Sequence, residues 1–247
     1  MPSKLRLYLV RHGESQANLD VNVNALHADH VIPLSERGCA QAIVAGRVIG
    51  EELRSLGAKN ARLWRSPYLR TRQTADGIID GLNDVLDGDL HRPKLDVRES
   101  DLIREQEFGL FDGIPDEELP IAFPREHALY SKYEMAKGRY FARMPMGESR
   151  CDVAARCKIF FGSLDRDREK HGIENVIIVS HGVTLRCFIK EWLHLPYEWI
   201  ENERNPGNCS VRLIENGRDR GYLHAGEKPT NGHDAQETRE NGIILPR

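Results

Sequence analysis

The run Val176-Ile177-Ile178-Val179-Ser180 is continuously apolar up to its last residue, too short for a free-standing helix, and ends in His181-Gly182. A run of that kind belongs to a strand buried on both faces, which requires a sheet with helices above and below it. The N-terminal stretch repeats the arrangement: Leu5 to Val10 is rich in β-formers and stops abruptly at Arg11-His12-Gly13-Glu14. Two strands therefore deliver His-Gly to a sheet edge, and the carboxyl edge is where open α/β sheets hold their ligands.

Between these runs the pattern alternates strand and helix. Ser35 can cap a helix reaching about Leu56, with Cys39, Ala42, Ile43, Gly46, Ile49, Leu53 and Leu56 on one apolar face. Residues 61–65 read as a strand, followed by Ser66-Pro67 as an N-cap with proline at the first helical position and a helix carrying Arg70. Lys94 to Arg98 is a further candidate strand, Ser149 can cap a long helix to about His171, and 209–215 with 222–224 are the expected last strands. Residues 15–33 read as a polar, asparagine-rich loop. Residues 114–147, with Pro115, Pro120, Pro124 and Pro145, read as an excursion that could cover a site. The expected fold is α/β, a predominantly parallel central sheet with helices on both faces, in a single domain over 1–225 followed by a polar tail over 226–247.

Composition enters mainly by exclusion. A net charge of -3 without a basic run gives no footprint for nucleic acid, and the apolar runs are too short to span a membrane. The five scattered cysteines favour neither a disulfide framework nor a metal knuckle. Residues 1–4 lead straight into the first strand, so a cytoplasmic location is expected. Oligomeric state is not legible.

The chemistry lies in what converges. Arg11-His12-Gly13, the start of the helix bearing Arg70, and His181-Gly182 meet at one end of the sheet. Two guanidiniums and an imidazole there would neutralise a phosphate dianion, with arginine supplying planar forked donors. A histidine within the cluster could attack phosphorus itself. No Gly-x-x-x-x-Gly-Lys-Ser/Thr loop and no metal-ligand pattern occurs, so the reading needs no nucleotide, metal or other cofactor.

Five motifs in order carry a resemblance. They are Leu9-Val10-Arg11-His12-Gly13-Glu14 with Asn18, Ser66-Pro67-Tyr68-Leu69-Arg70-Thr71-Arg72-Gln73-Thr74, Arg104-Glu105-Gln106-Glu107-Phe108-Gly109, Gly147-Glu148-Ser149, and Ser180-His181-Gly182. On these the chain resembles the histidine phosphatase superfamily, in the branch of cofactor-dependent phosphoglycerate mutases and broad-range phosphatases. The resemblance implies His12 as a nucleophile forming phosphohistidine. It implies that Arg11, Arg70 and His181 hold the phosphoryl oxygens with help from Asn18, and that Glu105 is general acid and then base. Glu107 competes with Glu105 for that role, and Glu14 reads as a structural hydrogen-bonder. The mutases of the family carry a paired arginine for the substrate carboxylate. This chain has Arg125, Arg139 and Arg143 instead, which favours net hydrolysis of a small phosphorylated substrate over mutase activity. A non-catalytic phospholigand-binding protein is the remaining alternative.

Overall fold

The computed structural model describes residues 5–20, 22–89 and 92–228. In chain order it runs β1 (Arg6–Arg11), short helices α1 (Gln16–Leu19) and α2 (Asn22–Leu26), a 3-10 turn at Asp29–Val31, α3 (Glu36–Ser55), β2 (Asn60–Arg65), α4 (Leu69–Leu86) and β3 (Lys94–Glu99). It continues through α5 (Leu119–Ala122), α6 (Pro124–Lys137), α7 (Arg150–His171), β4 (Asn175–Ser180), α8 (Gly182–Trp192), α9 (Tyr197–Asn202), β5 (Val211–Glu215) and β6 (Arg218–His224).

The two apolar runs occupy the middle of the sheet, whose order is β3-β2-β4-β1-β5-β6. β1 pairs parallel with β4, and β4 with β2, while β5 and β6 add an antiparallel edge beside β1. Side chains alternate across the pleat as a period of two demands. Leu7, Leu9, Val176 and Ile178 join one core with Val153, Phe160 and Leu164 of α7 and Phe188 of α8. Tyr8, Val10, Ile177 and Val179 join the other with Ala42, Ile49 and Leu53 of α3 and Ile78 and Leu82 of α4. Helices thus cover both faces, as the continuous apolar runs require.

Ser35 and Ser149 cap α3 and α7 as expected, accepting from the backbone N–H of Gly38 and Asp152. Two expectations are corrected. Ser66 does not cap α4, which starts at Leu69 with Tyr68 in the cap position, because the Ser66 hydroxyl is engaged by His181. The 15–33 stretch is not an open loop: Asn18 reaches back to the Ser15 backbone N–H at 3.0 Å and Asp20 accepts from Asn22, closing short helical turns. Of the polar segment expected from 226, residues 229–247 lie outside the described residues. Glu227 still exchanges backbone hydrogen bonds with Asn208 and pairs with Arg37 at 2.9 Å.

One buried polar cluster ties a helix to the sheet. The Asp167 carboxylate on α7, 1% exposed, accepts from Arg62 of β2 and from Trp64 Nε1 at 2.8 Å. Arg62 keeps a second partner in half-exposed Asp96, but Trp64 has none to replace Asp167. Removing Asp167 leaves buried Arg62 with a half-exposed anion alone and the buried Trp64 N–H with no acceptor among the described residues. Asp167→Ala is therefore expected to destabilise the fold by roughly 3–5 kcal/mol, measured by urea denaturation; a loss under about 1 kcal/mol would show the pair to be dispensable.

Candidate active site

The strand ends are laced side by side. The backbone N–H of His12 donates to Ser180 O at 2.9 Å and that of Ser66 to Val179 O at 3.0 Å, so the residues following β1, β4 and β2 are drawn to one place. The chain leaving β1 must also pass close to α3: a Cβ on Gly13 would lie 2.4 Å from the Gly38 carbonyl oxygen, which explains glycine after His12. At Gly182 the close approach is to a side chain, since a Cβ there would meet Asn205 Oδ1 at 2.0 Å and displace it.

The rings of His12 and His181 lie 5.3 Å apart, tilted by 63°. His12 Nδ1 sits 2.7 Å from the Gly13 carbonyl oxygen, which can only accept. Nδ1 therefore carries the proton and Nε2 the lone pair. Burial, reinforced by the positive charges of Arg70 and Arg11, holds the His12 pKa well below the ordinary histidine value, so the ring is neutral. His181 is fully buried and also shifted well down, by burial first and then by Arg70. Its Nε2 is 2.8 Å from Ser66 Oγ, while its Nδ1 is buried without a hydrogen-bond partner among the described residues. A buried polar atom left without a partner beside the His12 ring is one that a ligand oxygen would satisfy.

Arg11, Asn18 and Arg70 line the same cavity as His12. Arg11 is steadied by Nη1 donating to Pro206 O at 2.6 Å, and the Asn18 carbonyl oxygen is taken up by the Ser15 turn. Arg70, on the first turn of α4, is nearly buried and held by a residue sequence reasoning did not single out. Asp29 takes its Nη1 and Nη2 at 2.7 and 3.1 Å. Arg72, two residues on, instead pairs with Glu99 at the surface.

The structure separates the two competing acids. Glu107 is exposed and pairs with Arg104, whereas Glu105 is buried, lines the cavity and lies against the start of α8. Its carboxyl accepts from Thr184 Oγ1 at 3.1 Å and from the backbone N–H groups of Gln106 and Thr184 at 2.9 and 3.2 Å. Those contacts favour the ionised form, yet burial outweighs them and the Glu105 pKa is raised. The turn is braced from behind. Glu148 accepts from Arg156 at 3.0 Å and from the Glu107 backbone at 3.1 Å, and Arg156 Nη2 donates to the Glu105 carbonyl at 2.9 Å. The Gly-Glu-Ser motif therefore braces the turn that carries Glu105. Glu14 is buried and accepts from Ser35 Oγ at 2.9 Å, a structural role.

All of this opens on a cavity of about 410 Å³, more than a phosphoryl group fills. Its outer wall comes from the proline-rich excursion, through Ile114, Leu119, His127, Tyr130 and Arg139. Helix α6 buries no residue fully, as suits an element roofing a cavity rather than packing on a core. Of the three arginines noted in the sequence, Arg139 lines the cavity, paired with Glu134. Arg143 pairs with Asp152 instead, and Arg125 is exposed. Arg150, at the start of α7, also lines it and was not foreseen, nor was Asp112, whose pKa burial raises.

A neutral imidazole with a bare Nε2, two guanidiniums and a buried carboxyl of raised pKa share one cavity at the carboxyl edge of the α/β sheet. The sequence model of the histidine phosphatase superfamily (branch 1) matches residues 7–227, and the chain belongs to that family. Among its relatives, the phosphoglycerate mutase-like protein AT74H of Arabidopsis thaliana is 36% identical over 237 residues, covering 89% of this chain and 77% of the plant protein. The broad-range acid phosphatase DET1 of Saccharomyces cerevisiae is 28% identical over 292 residues, covering 85% and 84%. Among solved structures, mycobacterial glucosyl-3-phosphoglycerate phosphatase in complex with VO3 superposes with a TM-score of 0.63 at 24% identity, covering 85% of this chain and 90% of that one, which shows a shared fold.

Proposed function

We propose that the protein is a metal-independent phosphomonoester hydrolase acting through a phosphohistidine at His12. The observation that carries this reading is the His12 ring itself, with Nδ1 fixed on the Gly13 carbonyl and Nε2 left as nucleophile beside Arg70 and Glu105. In the first step Nε2 forms the N–P bond as the P–O bond to the leaving group breaks, and Glu105 gives its proton to the departing oxygen. In the second, the Glu105 carboxylate takes a proton from water. The water oxygen then displaces His12 from phosphorus, and orthophosphate leaves with the imidazole neutral again. Arg11, Arg70 and His181 hold the equatorial oxygens, with Asn18 at the rim; their fixed donors stabilise the charge of each transition state.

Because two arginines supply this charge, hydrolysis of a simple aryl phosphate is expected to survive a chelator and to be inhibited competitively by vanadate or tungstate. Loss of activity on chelation with recovery on adding a divalent ion would overturn the reading. A second reading, phosphoglycerate mutase, is favoured by one observation: Arg139 and Arg150 both line the cavity wall although neither was part of an arginine pair in the sequence. Phosphate release from several esters, compared with interconversion of 2- and 3-phosphoglycerate in the presence of the bisphosphate primer, separates the two. Hydrolysis is expected to be faster; isomerisation faster than every hydrolysis would establish the mutase. A non-catalytic binding role has nothing in its favour, since each residue the chemistry needs is present.

A further inference from the structure

Asp29 has no part in the chemistry above, yet it sits on the guanidinium that the chemistry needs most. Its carboxylate oxygens lie 2.7 and 3.1 Å from Arg70 Nη1 and Nη2, and its backbone carbonyl lies 2.6 Å from Nη1. The Arg70 side chain is 6% exposed and that of Asp29 23%. Among the described residues the Asp29 carboxylate accepts from no other group, so neither a helix cap nor a neighbouring turn explains it. Arg70 likewise donates to no other described residue, which leaves its remaining N–H groups for a ligand.

From these contacts we infer that Asp29 is the resident counter-ion of Arg70 and sets the pocket's affinity for the phosphoryl group, an inference that rests on the phosphatase reading. A guanidinium this deeply buried is costly without a compensating anion. In the empty site Asp29 supplies it. When a phosphoryl dianion arrives, two anions share one cation, and Asp29 repels the newcomer while Arg70 attracts it. The carboxylate therefore weakens ground-state binding and helps expel orthophosphate at the end of each cycle. It also bears on the acid, because its negative charge adds a small push to the burial that raises the Glu105 pKa. Asp29 is thus an affinity-determining residue, and one whose removal should make the site bind its product too well.

The test is calorimetric titration of the full chain with orthophosphate, so that binding is read without turnover. Asp29→Asn keeps the shape and one acceptor while removing the charge; Asp29→Ala removes the charge and every side-chain acceptor and is carried alongside in case the amide variant folds poorly. Orthophosphate is expected to bind on the order of tenfold tighter to the charge-free variants than to the parent. Its thermal stabilisation of them should be correspondingly larger, since a ligand stabilises in proportion to its saturation of the native state. Glu107→Gln, an exposed acid outside the cavity, should leave both readouts unchanged. Equal or weaker phosphate binding by the Asp29 variants, with the parent still binding, overturns this inference alone. Failure of the parent itself to bind orthophosphate overturns it together with the phosphate-site reading.

Discussion

His12→Ala is expected to lower kcat by about 10⁶-fold, the scale on which removal of a covalent nucleophile acts when the rest of the site cannot take over its step. The reason is geometric. Nε2 of His12 presents a nitrogen lone pair to the cavity in a fixed direction, because Nδ1 is committed to the Gly13 carbonyl. His181 cannot substitute: its ring is fully buried and its Nε2 is engaged by the Ser66 hydroxyl. The fold should hardly notice, since the ring faces an open cavity and its hydrogen bond is to the adjacent residue. A change in unfolding free energy within about 1 kcal/mol is expected, measured alongside turnover. A variant with substantial turnover would remove His12 from the mechanism.

Glu105→Gln carries the second large effect, and its signature is uneven. General-acid help is worth about 10²- to 10⁴-fold where the leaving oxygen is a poor one, and much less for an aryl phosphate whose leaving group needs little assistance. In kcat/KM the loss should therefore be large for an alkyl ester and small for an aryl ester. The pH profile gives an independent reading. The mechanism needs His12 neutral, so activity rises as pH climbs through its depressed pKa, and Glu105 protonated, so activity falls as pH climbs through its raised pKa. The acid limb belongs to His12 and the alkaline limb to Glu105. In Glu105→Gln the alkaline limb should vanish while the acid limb stays. Equal losses on both esters, or a larger loss from Glu107→Gln, would place the acid elsewhere.

What could be read from the sequence follows from which physical signal was strong. The central strands were legible because burial on both faces leaves no polar residue to interrupt Val176–Val179, and Ser35 and Ser149 because a hydroxyl before a helical run can accept from the free N–H groups of its first turn. The outer hairpin was only half legible. β6 begins at Arg218, four residues before the expected 222, because its exposed Arg218-Asp219-Arg220 start carries no alternation of apolar residues. The signal that marks it is the Asn216-Gly217 pair, both at positive φ, which forms the two-residue turn of a hairpin. Ser66 was misread because one hydroxyl can cap a helix or hold a histidine, and only the fold shows that His181 is within 2.8 Å.

Within the site, the residues at strand ends and on the first turn of α4 were legible because topology alone brings them together. Asp29, Asp112 and Arg150 were not, because they reach the cavity from three segments far apart in the chain, and nothing local marks an aspartate that will meet Arg70 across 41 positions. The separation of Glu105 from Glu107 also needed the structure. The two lie two positions apart in one polar turn, and only the fold shows that Glu105 meets Thr184 at the start of α8 while Glu107 pairs with Arg104 at the surface.

The central claim is that the phosphoryl group rests covalently on His12 between the two steps. The direct measurement is to mix the protein with a labelled phosphomonoester, quench within the first turnovers, digest, and locate the label by mass spectrometry. Phosphate that is labile in acid, stable in base and carried on the peptide containing His12, and absent from His12→Ala, is the expected result. Label on a serine or cysteine, or single-turnover hydrolysis that proceeds with no labelled protein at any time, would contradict it.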